Sequence, residues 1–184
     1  MKQIVLIFIL LFSAKCFSQE NPDYLLWNSA YKITIDDFGI KKSDSQSGSS
    51  FALFTIEHSV SGLDFLTKNF NKKVKNFMIK SGSWIDTTYN VKLSLKYQQT
   101  LFNIAEIYSR QFRRELLTNR KQIARGLTIV HELFSKISSD FAKRRLKYDA
   151  ETDYGNDILK QEQWDLQIKK ELEELSDYDY NYSK

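Results

Sequence analysis

Val91 to Thr118 reads VKLSLKYQQTLFNIAEIYSRQFRRELLT, and this run decides the fold. Leu95, Leu101, Phe102, Ile104, Ala105, Tyr108, Phe112 and Leu116 recur close to every 3.6 residues, which places them on one face of an α-helix. The only proline of the chain, Pro22, lies far upstream, so nothing after it interrupts a long element. Downstream the helical pattern continues. A second helix is expected from about Lys121 to Leu146, with Ile123, Leu127, Val130, Phe134, Ile137 and Phe141 inward. A third is expected from about Asp157 to Leu175, with Leu159, Trp164, Ile168, Leu172 and Leu175 inward. Between them Tyr148 to Gly155 (YDAETDYG) reads as a polar, ordered loop.

Upstream of residue 90 the pattern changes to strands. Tyr31 to Ile35 alternates in polarity. Phe51 to Val60 is rich in β-branched and aromatic residues, and Val74 to Ile79 (VKNFMI) is a third candidate. Lys41 to Ser50 (KKSDSQSGSS) reads as a flexible loop, and Ser61-Gly62 marks another break. Strands first and helices afterwards define an α+β protein, a small N-terminal antiparallel sheet followed by three long helices. No internal repeat is present. The expected organisation is a signal peptide over 1–18, one domain over 19–175 and a frayed tail over 176–184.

The N-terminal reading rests on Lys2, on the unbroken apolar run Ile4 to Phe12 (IVLIFILLF), and on Ser13 to Ser18, where Cys16 and Ser18 suit the −3 and −1 positions of a signal-peptidase site. Cleavage after Ser18 would leave 166 of the 184 residues, starting at Gln19 and sufficient for one core. A lipoprotein reading would acylate Cys16, but Lys15 stands where a small residue is wanted. The protein is therefore expected to be exported, periplasmic or secreted, with no transmembrane segment once the leader is gone. Removal of Lys2 and Lys15 turns 27 basic residues into 25 against 23 acids, a formal charge of +2. With export, so mild a charge argues against a nucleic-acid role. The single cysteine departs with the leader, which excludes disulfides and thiol chemistry. Stability must come from packing, for which 13 Phe, 10 Tyr and 3 Trp provide the material.

Three stretches bear on function: Ile33-Thr34-Ile35-Asp36-Asp37-Phe38-Gly39 with Ser83-Trp84-Ile85; Tyr97 to Arg110 (YQQTLFNIAEIYSR); and Tyr148 to Gly155 with Gln161-Glu162-Gln163-Trp164. In order and spacing they resemble a bacterial exported family classed as zinc proteases, the domain of unknown function nine-two-two, from about Leu25 to Leu175. The resemblance implies a zincin-like fold. It also implies a helix carrying His-Glu-Gln-x-His-Phe followed by Asp-Ile-x-Glu, and a later loop reading Glu-Thr-x-His-Gly. Gln99, Phe102, Ile104, Glu106, Glu151, Thr152 and Gly155 match. Tyr97, Leu101 and Tyr154 stand where the resemblance implies three histidine ligands, and Gln98 where it implies the glutamate.

Those replacements remove the chemistry. Two histidines at i and i+4 on a helix can grip one zinc, a third ligand completes the site, and the glutamate takes a proton from the bound water. Leucine has no lone pair, glutamine has no basic carboxylate, and tyrosine has an ordinary pKa near 10. No cofactor and no metal site are expected. Neither His58, in a strand, nor His131, with Ser135 four residues on, supplies a substitute.

Other constellations have bland readings. Arg110, Arg113, Arg114, Arg120, Lys121 and Arg125, and the cluster Lys143, Arg144, Arg145 and Lys147, could face an acidic partner, but read first as solvated faces near helix C-termini. Asp36, Asp37, Asp149 and Glu151 could do acid–base work, but adjacent loop acids more often cap or pair. Tyr178, Tyr180 and Tyr182 belong to the tail. Tyr97, Gln98, Tyr154 and Glu106 form the candidate pocket: either a remodelled site for an unknown protein or peptide, or side chains that fill a vacated cavity. The expected function is a non-catalytic, pseudoprotease-like binding or scaffold protein of the cell envelope. The alternatives are a secreted hydrolase or metalloprotease with an unrecognised site, and a purely structural envelope protein.

Overall fold

A computed structural model describes residues 21–43 and 49–182; the leader assigned to residues 1–18, and the middle of the Lys41–Ser50 loop, lie outside the described residues. The chain is α+β. Four strands come first, β1 (Tyr24–Leu26), β2 (Ile40–Lys42), β3 (Ser50–His58) and β4 (Val74–Asp86), followed by α1 (Val91–Thr118), a one-turn α2 (Arg120–Ile123), α3 (Thr128–Thr152) and α4 (Ile158–Glu174).

β4 is the spine of the sheet. Along one edge it pairs with β3, antiparallel, from His58 opposite Val74 to Ser50 opposite Ile85. Along the other edge β1 runs antiparallel beside Phe77–Ile79, and β2 runs parallel beside Trp84–Asp86. The sheet is thus mixed, where an antiparallel one is expected from the sequence. The strand expected over Val74 to Ile79 runs on to Asp86, straight through Ser81-Gly82-Ser83. The register slips between Phe51 and Leu53, and the Ser83 hydroxyl bridges the irregularity, accepting from the Leu53 amide at 3.0 Å and donating to the Ile79 carbonyl at 2.6 Å. Such a bulge bends and twists the strand without ending it.

Tyr31 to Ile35 is not a strand. It leads into a single 3-10 turn at Ile35–Asp37, fixed by a capping box in which Asp37 accepts from the Thr34 amide at 2.8 Å and from the Tyr31 hydroxyl at 2.8 Å. The local cap outcompetes a five-residue alternation. The second predicted helix is split, because Gly126 (φ +142°) takes a conformation that breaks it. Tyr148 to Thr152, expected in a loop, form the last turn of α3. α1 and α4 fall within a residue or two of their expected bounds.

α1 lies at the centre, with the sheet on one side and α3 and α4 on the other. Phe102 stacks on Phe54 of β3 with centroids 4.9 Å apart, while Ile104, Ile107, Phe112 and Leu116 are fully enclosed. A helix covered on nearly all sides must also bury its polar positions, and Glu106, Arg110 and Arg113 form a satisfied cluster. Glu106 is 1 % exposed and Arg113 likewise 1 %. Arg113 Nη1 donates to Glu106 at 2.8 Å and to the Tyr178 carbonyl at 2.8 Å, and its Nη2 donates to the Val74 carbonyl at 2.9 Å. Arg110 Nε reaches Glu106 at 3.1 Å and Nη1 the Leu172 carbonyl at 2.7 Å, and Nη2 pairs with Asp179. These two arginines are therefore not a solvated face.

Nor is the whole tail frayed. Ser176–Tyr178 make a 3-10 turn, the Asp177 carbonyl accepts from Asn71 at 3.0 Å, and Lys72 lies 3.8 Å from the centre of the Tyr180 ring. The tail is held by the arginines it covers.

Removing one member of a buried ionic cluster leaves the others uncompensated, at a cost of about 3–5 kcal/mol. Glu106→Gln is expected to destabilise the protein by that order in urea unfolding monitored by far-UV circular dichroism. A change below about 1 kcal/mol, within the range of an exposed ion pair, would contradict the central role given to Glu106.

Candidate functional site

Tyr97 and Leu101 lie one helical turn apart on the same side of α1, and both are buried, at 4 % and 0 % exposure. The turn after α3 comes against them. Asp153, Tyr154 and Gly155 take positive φ in succession (48°, 53° and 89°), which reverses the chain directly over Tyr97. The approach is close enough that a Cβ on Gly155 would stand 2.7 Å from the Tyr97 Cβ, so glycine is required by both φ and space. The Tyr154 ring meets the Tyr97 ring edge-on, with centroids 6.5 Å apart. The sequence positions 97, 101 and 154 thus share one neighbourhood.

That neighbourhood is packed. Tyr97 stacks on Tyr148 of α3 with centroids 5.2 Å apart, and Tyr148 meets Trp164 of α4 edge-on at 5.2 Å. The Tyr97 hydroxyl donates to Asp149 Oδ1 at 2.5 Å, and the Tyr148 hydroxyl donates to Gln161 Oε1 at 2.5 Å. Burial, reinforced by the neighbouring Asp149 carboxylate, pushes the Tyr97 hydroxyl far above its ordinary range. Burial likewise raises Tyr148. Both phenols are therefore neutral and act as hydrogen-bond donors. Asp149 is itself raised by burial, against the opposing effects of the Tyr97 hydrogen bond and of Arg145.

The remaining candidates separate. Gln98, 1 % exposed, turns toward the sheet, where its Nε2 donates to the Ser50 hydroxyl at 3.0 Å while its Oε1 is buried with no partner among the described residues. Glu106 lies nine residues along α1 from Tyr97, inside the arginine cluster, and is not joined to the tyrosines. Tyr154, at 62 % exposure, is the one member that meets solvent. The other acids have structural partners: Asp37 in its cap, Asp36 with Lys41 at 2.9 Å, and Glu151 accepting from Trp164 Nε1 at 2.9 Å. Arg144 is clamped bidentately by Glu171 at 2.6 and 2.7 Å, whereas Lys121, Arg125, Lys143 and Lys147 remain on the surface. His58 sits between Phe112 and Phe134, its pKa lowered first by burial and then by His131. Among the described residues, no three His, Cys, Asp or Glu side chains converge as metal ligands, and no helix is long and apolar enough to cross a membrane.

Open space lies instead on the other flank of α1. A groove of about 1330 Å³ runs between α1 and α4, with Trp27, Ile33, Leu95 and Leu172 supplying its apolar surface and Gln99, Asn103 and Thr100 its polar floor. Lys96 of α1 reaches across to Asp165 of α4 at 3.2 Å, and Asp165 also accepts from Thr100 at 2.6 Å and from Gln161 at 2.8 Å. Gln161 links this groove to the tyrosine stack, since it also receives the Tyr148 hydroxyl. Nothing in the sequence pattern points to the groove, because its apolar members are scattered over α1, α4 and the segment after β1.

Comparison with family models, curated proteins and solved structures finds no match to this chain.

The Tyr97–Asp149 pair is testable through pH. Tyr97→Phe removes a donor to a half-buried carboxylate, so the folded-state pKa of Asp149 rises further above its unfolded value. Because the folded state then holds its proton to higher pH, stability falls as pH rises through that pKa. The deficit relative to the parent protein is expected to be about 1–3 kcal/mol at neutral pH and to shrink toward the ordinary aspartate range near 4. Urea unfolding between those limits measures it; a deficit independent of pH would contradict the pairing.

Proposed function

We propose that this chain is an exported, non-catalytic binding protein with a protease-like framework, in which the positions of a metal site have become packing and the binding surface is the α1–α4 groove. The observation that carries the reading is the occupation of positions 97, 101 and 154. A buried leucine and a stacked tyrosine fill the i, i+4 pair, and the turn bearing Tyr154 packs its Gly155 directly against Tyr97. A catalytic zinc site needs basic ligands and an open position for water, and neither the side chains nor the space around Tyr97 provide them. At about 1330 Å³ the groove exceeds the usual size of a small-molecule pocket, and it lies across α1 from the packed side.

Two measurements test this. Purified protein is expected to carry zinc well below one equivalent and to show no peptidase activity. Stoichiometric zinc whose removal by a chelator abolishes peptide hydrolysis would overturn the reading in favour of a metalloprotease. The placement of 97, 98, 101 and 154 as the former site is tested by Tyr97→His/Gln98→Glu/Leu101→His/Tyr154→His, which is expected to gain zinc affinity in a folded protein. A folded quadruple variant with no gain would remove the resemblance from the argument. Export has its own readout: mass spectrometry of protein recovered outside the cytoplasm is expected to place Gln19 first.

A further inference from the structure

The groove carries information about what it accepts. Its α1 wall repeats at Lys92, Lys96, Gln99 and Asn103, and its α4 wall at Ile158, Glu162, Asp165 and Lys169, each at spacings of three and four residues. Two such stripes on neighbouring helices form the surface against which a further helix packs. From Lys92 to Arg110 the lining extends eighteen residues along α1, about 27 Å at 1.5 Å per residue, or five turns of a docked helix.

The two walls differ in charge. On the α1 side, among the described residues, Lys32 and Lys92 have no carboxylate within ion-pair distance, and Lys96 is already held by Asp165. Asn103 adds a third uncommitted donor: its oxygen accepts from Trp27 Nε1 at 3.0 Å and from Gln99 Nε2 at 3.2 Å, which leaves both amide protons without an acceptor among the described residues. The α4 side is mixed, with Glu162 and Glu173 flanking Lys169. At the far end Arg110, though it lines the groove, is paired with Glu106 and Asp179 and is not on offer. The ligand must therefore present acceptors on one flank only, toward Lys32, Lys92 and Asn103, and apolar side chains toward Leu95, Ile158 and Leu172.

We propose that the α1–α4 groove binds an amphipathic helical segment of a partner protein, with its apolar stripe against Leu95, Ile158 and Leu172 and a row of carboxylates along the flank facing Lys32 and Lys92. This rests on the groove being the binding surface. Helix-in-groove recognition uses i, i+3, i+4 and i+7 anchors, which matches two walls of that periodicity better than a single acyl chain would.

The test uses three fluorescein-labelled eighteen-residue helical peptides with one leucine stripe and a flank of glutamate, glutamine or lysine, titrated into the full mature protein by fluorescence anisotropy at low salt. The glutamate peptide is expected to bind most tightly, and Lys32→Gln/Lys92→Gln to weaken it about five- to tenfold, the size of two partly screened ion pairs, while leaving the glutamine peptide nearly unchanged. Both lysines are exposed, so the thermal midpoint is expected to stay put. Equal binding of all three peptides, sensitive to Leu172→Arg but not to the lysine changes, would overturn the acidic flank and leave the groove reading standing. No binding by any peptide would overturn both. Displacement of the glutamate peptide by oleate at equal or lower concentration would overturn the polypeptide occupant in favour of a lipid.

Discussion

Glu106 sits in the middle of α1 with 1 % of its surface exposed. α1 is surrounded by a sheet and two helices, so its polar positions cannot all reach water, and a carboxylate in its middle must find cations or be protonated. It finds two, one turn and two turns along the same helix. Those guanidiniums then need acceptors of their own, which come from three distant places: the Val74 carbonyl at the start of β4, the Leu172 carbonyl at the end of α4, and Asp179 and Tyr178 in the tail. One buried charge thereby fixes the start of the spine strand, the end of the last helix and the course of the C-terminal segment. Apolar packing would bring these elements together without specifying their register; forked, planar donors do specify it.

Toward the N-terminal end of α1 the burial of polar groups is handled by stacked aromatic rings. Tyr97, Tyr148 and Trp164 stack in series, and each polar tip has an acceptor: Asp149, Gln161 and Glu151. Aromatic rings with satisfied polar tips fill a site and orient it. The three left-handed residues at 153–155 are the conformational consequence, since the chain can cross Tyr97 only where a glycine allows contact. If the metal-site ancestry proposed for this region holds, the same turn that would have brought a ligand to zinc now brings the edge of Tyr154 to Tyr97.

How far the sequence disclosed this differs by element. α1 and α4 were legible because their apolar period is local and strong. Tyr31–Ile35 misled because alternation over five residues is weaker than a cap that joins Thr34, Tyr31 and Asp37. The continuation of β4 was hidden because Ser81-Gly82-Ser83 has the composition of a turn, and only the Ser83 hydroxyl, seen in place, shows how the ladder survives. The burial of Arg110 and Arg113 was illegible in principle: apart from Glu106 their acceptors lie dozens of residues away on both sides, and a basic helix face looks the same in sequence whether water or Val74 and Asp179 meet it. The pairing of Tyr154 with Tyr97 comes from the resemblance and not from periodicity, and the two rings lie with centroids 6.5 Å apart. Glu106, read from the same motif, belongs to a different cluster.

The groove follows from how α4 is anchored. Its inward residues, Gln161, Trp164 and Ile168, are held by the tyrosine stack and by α1, and Asp165 is tied across to Lys96 and Thr100. These contacts lie along one side of α4, whereas Ile158 and Leu172 fall toward the groove and stay only partly covered. The tail lines one end of the groove with Ser176 and Asp179, where Asp179 pairs with Arg110, and its later residues turn to Asn69, Asn71 and Lys72. The buried cluster thus holds the described part of the tail at the end of the groove. Apolar surface flanked by two lysines without carboxylates is left facing solvent, and the described chain holds no element placed to cover it.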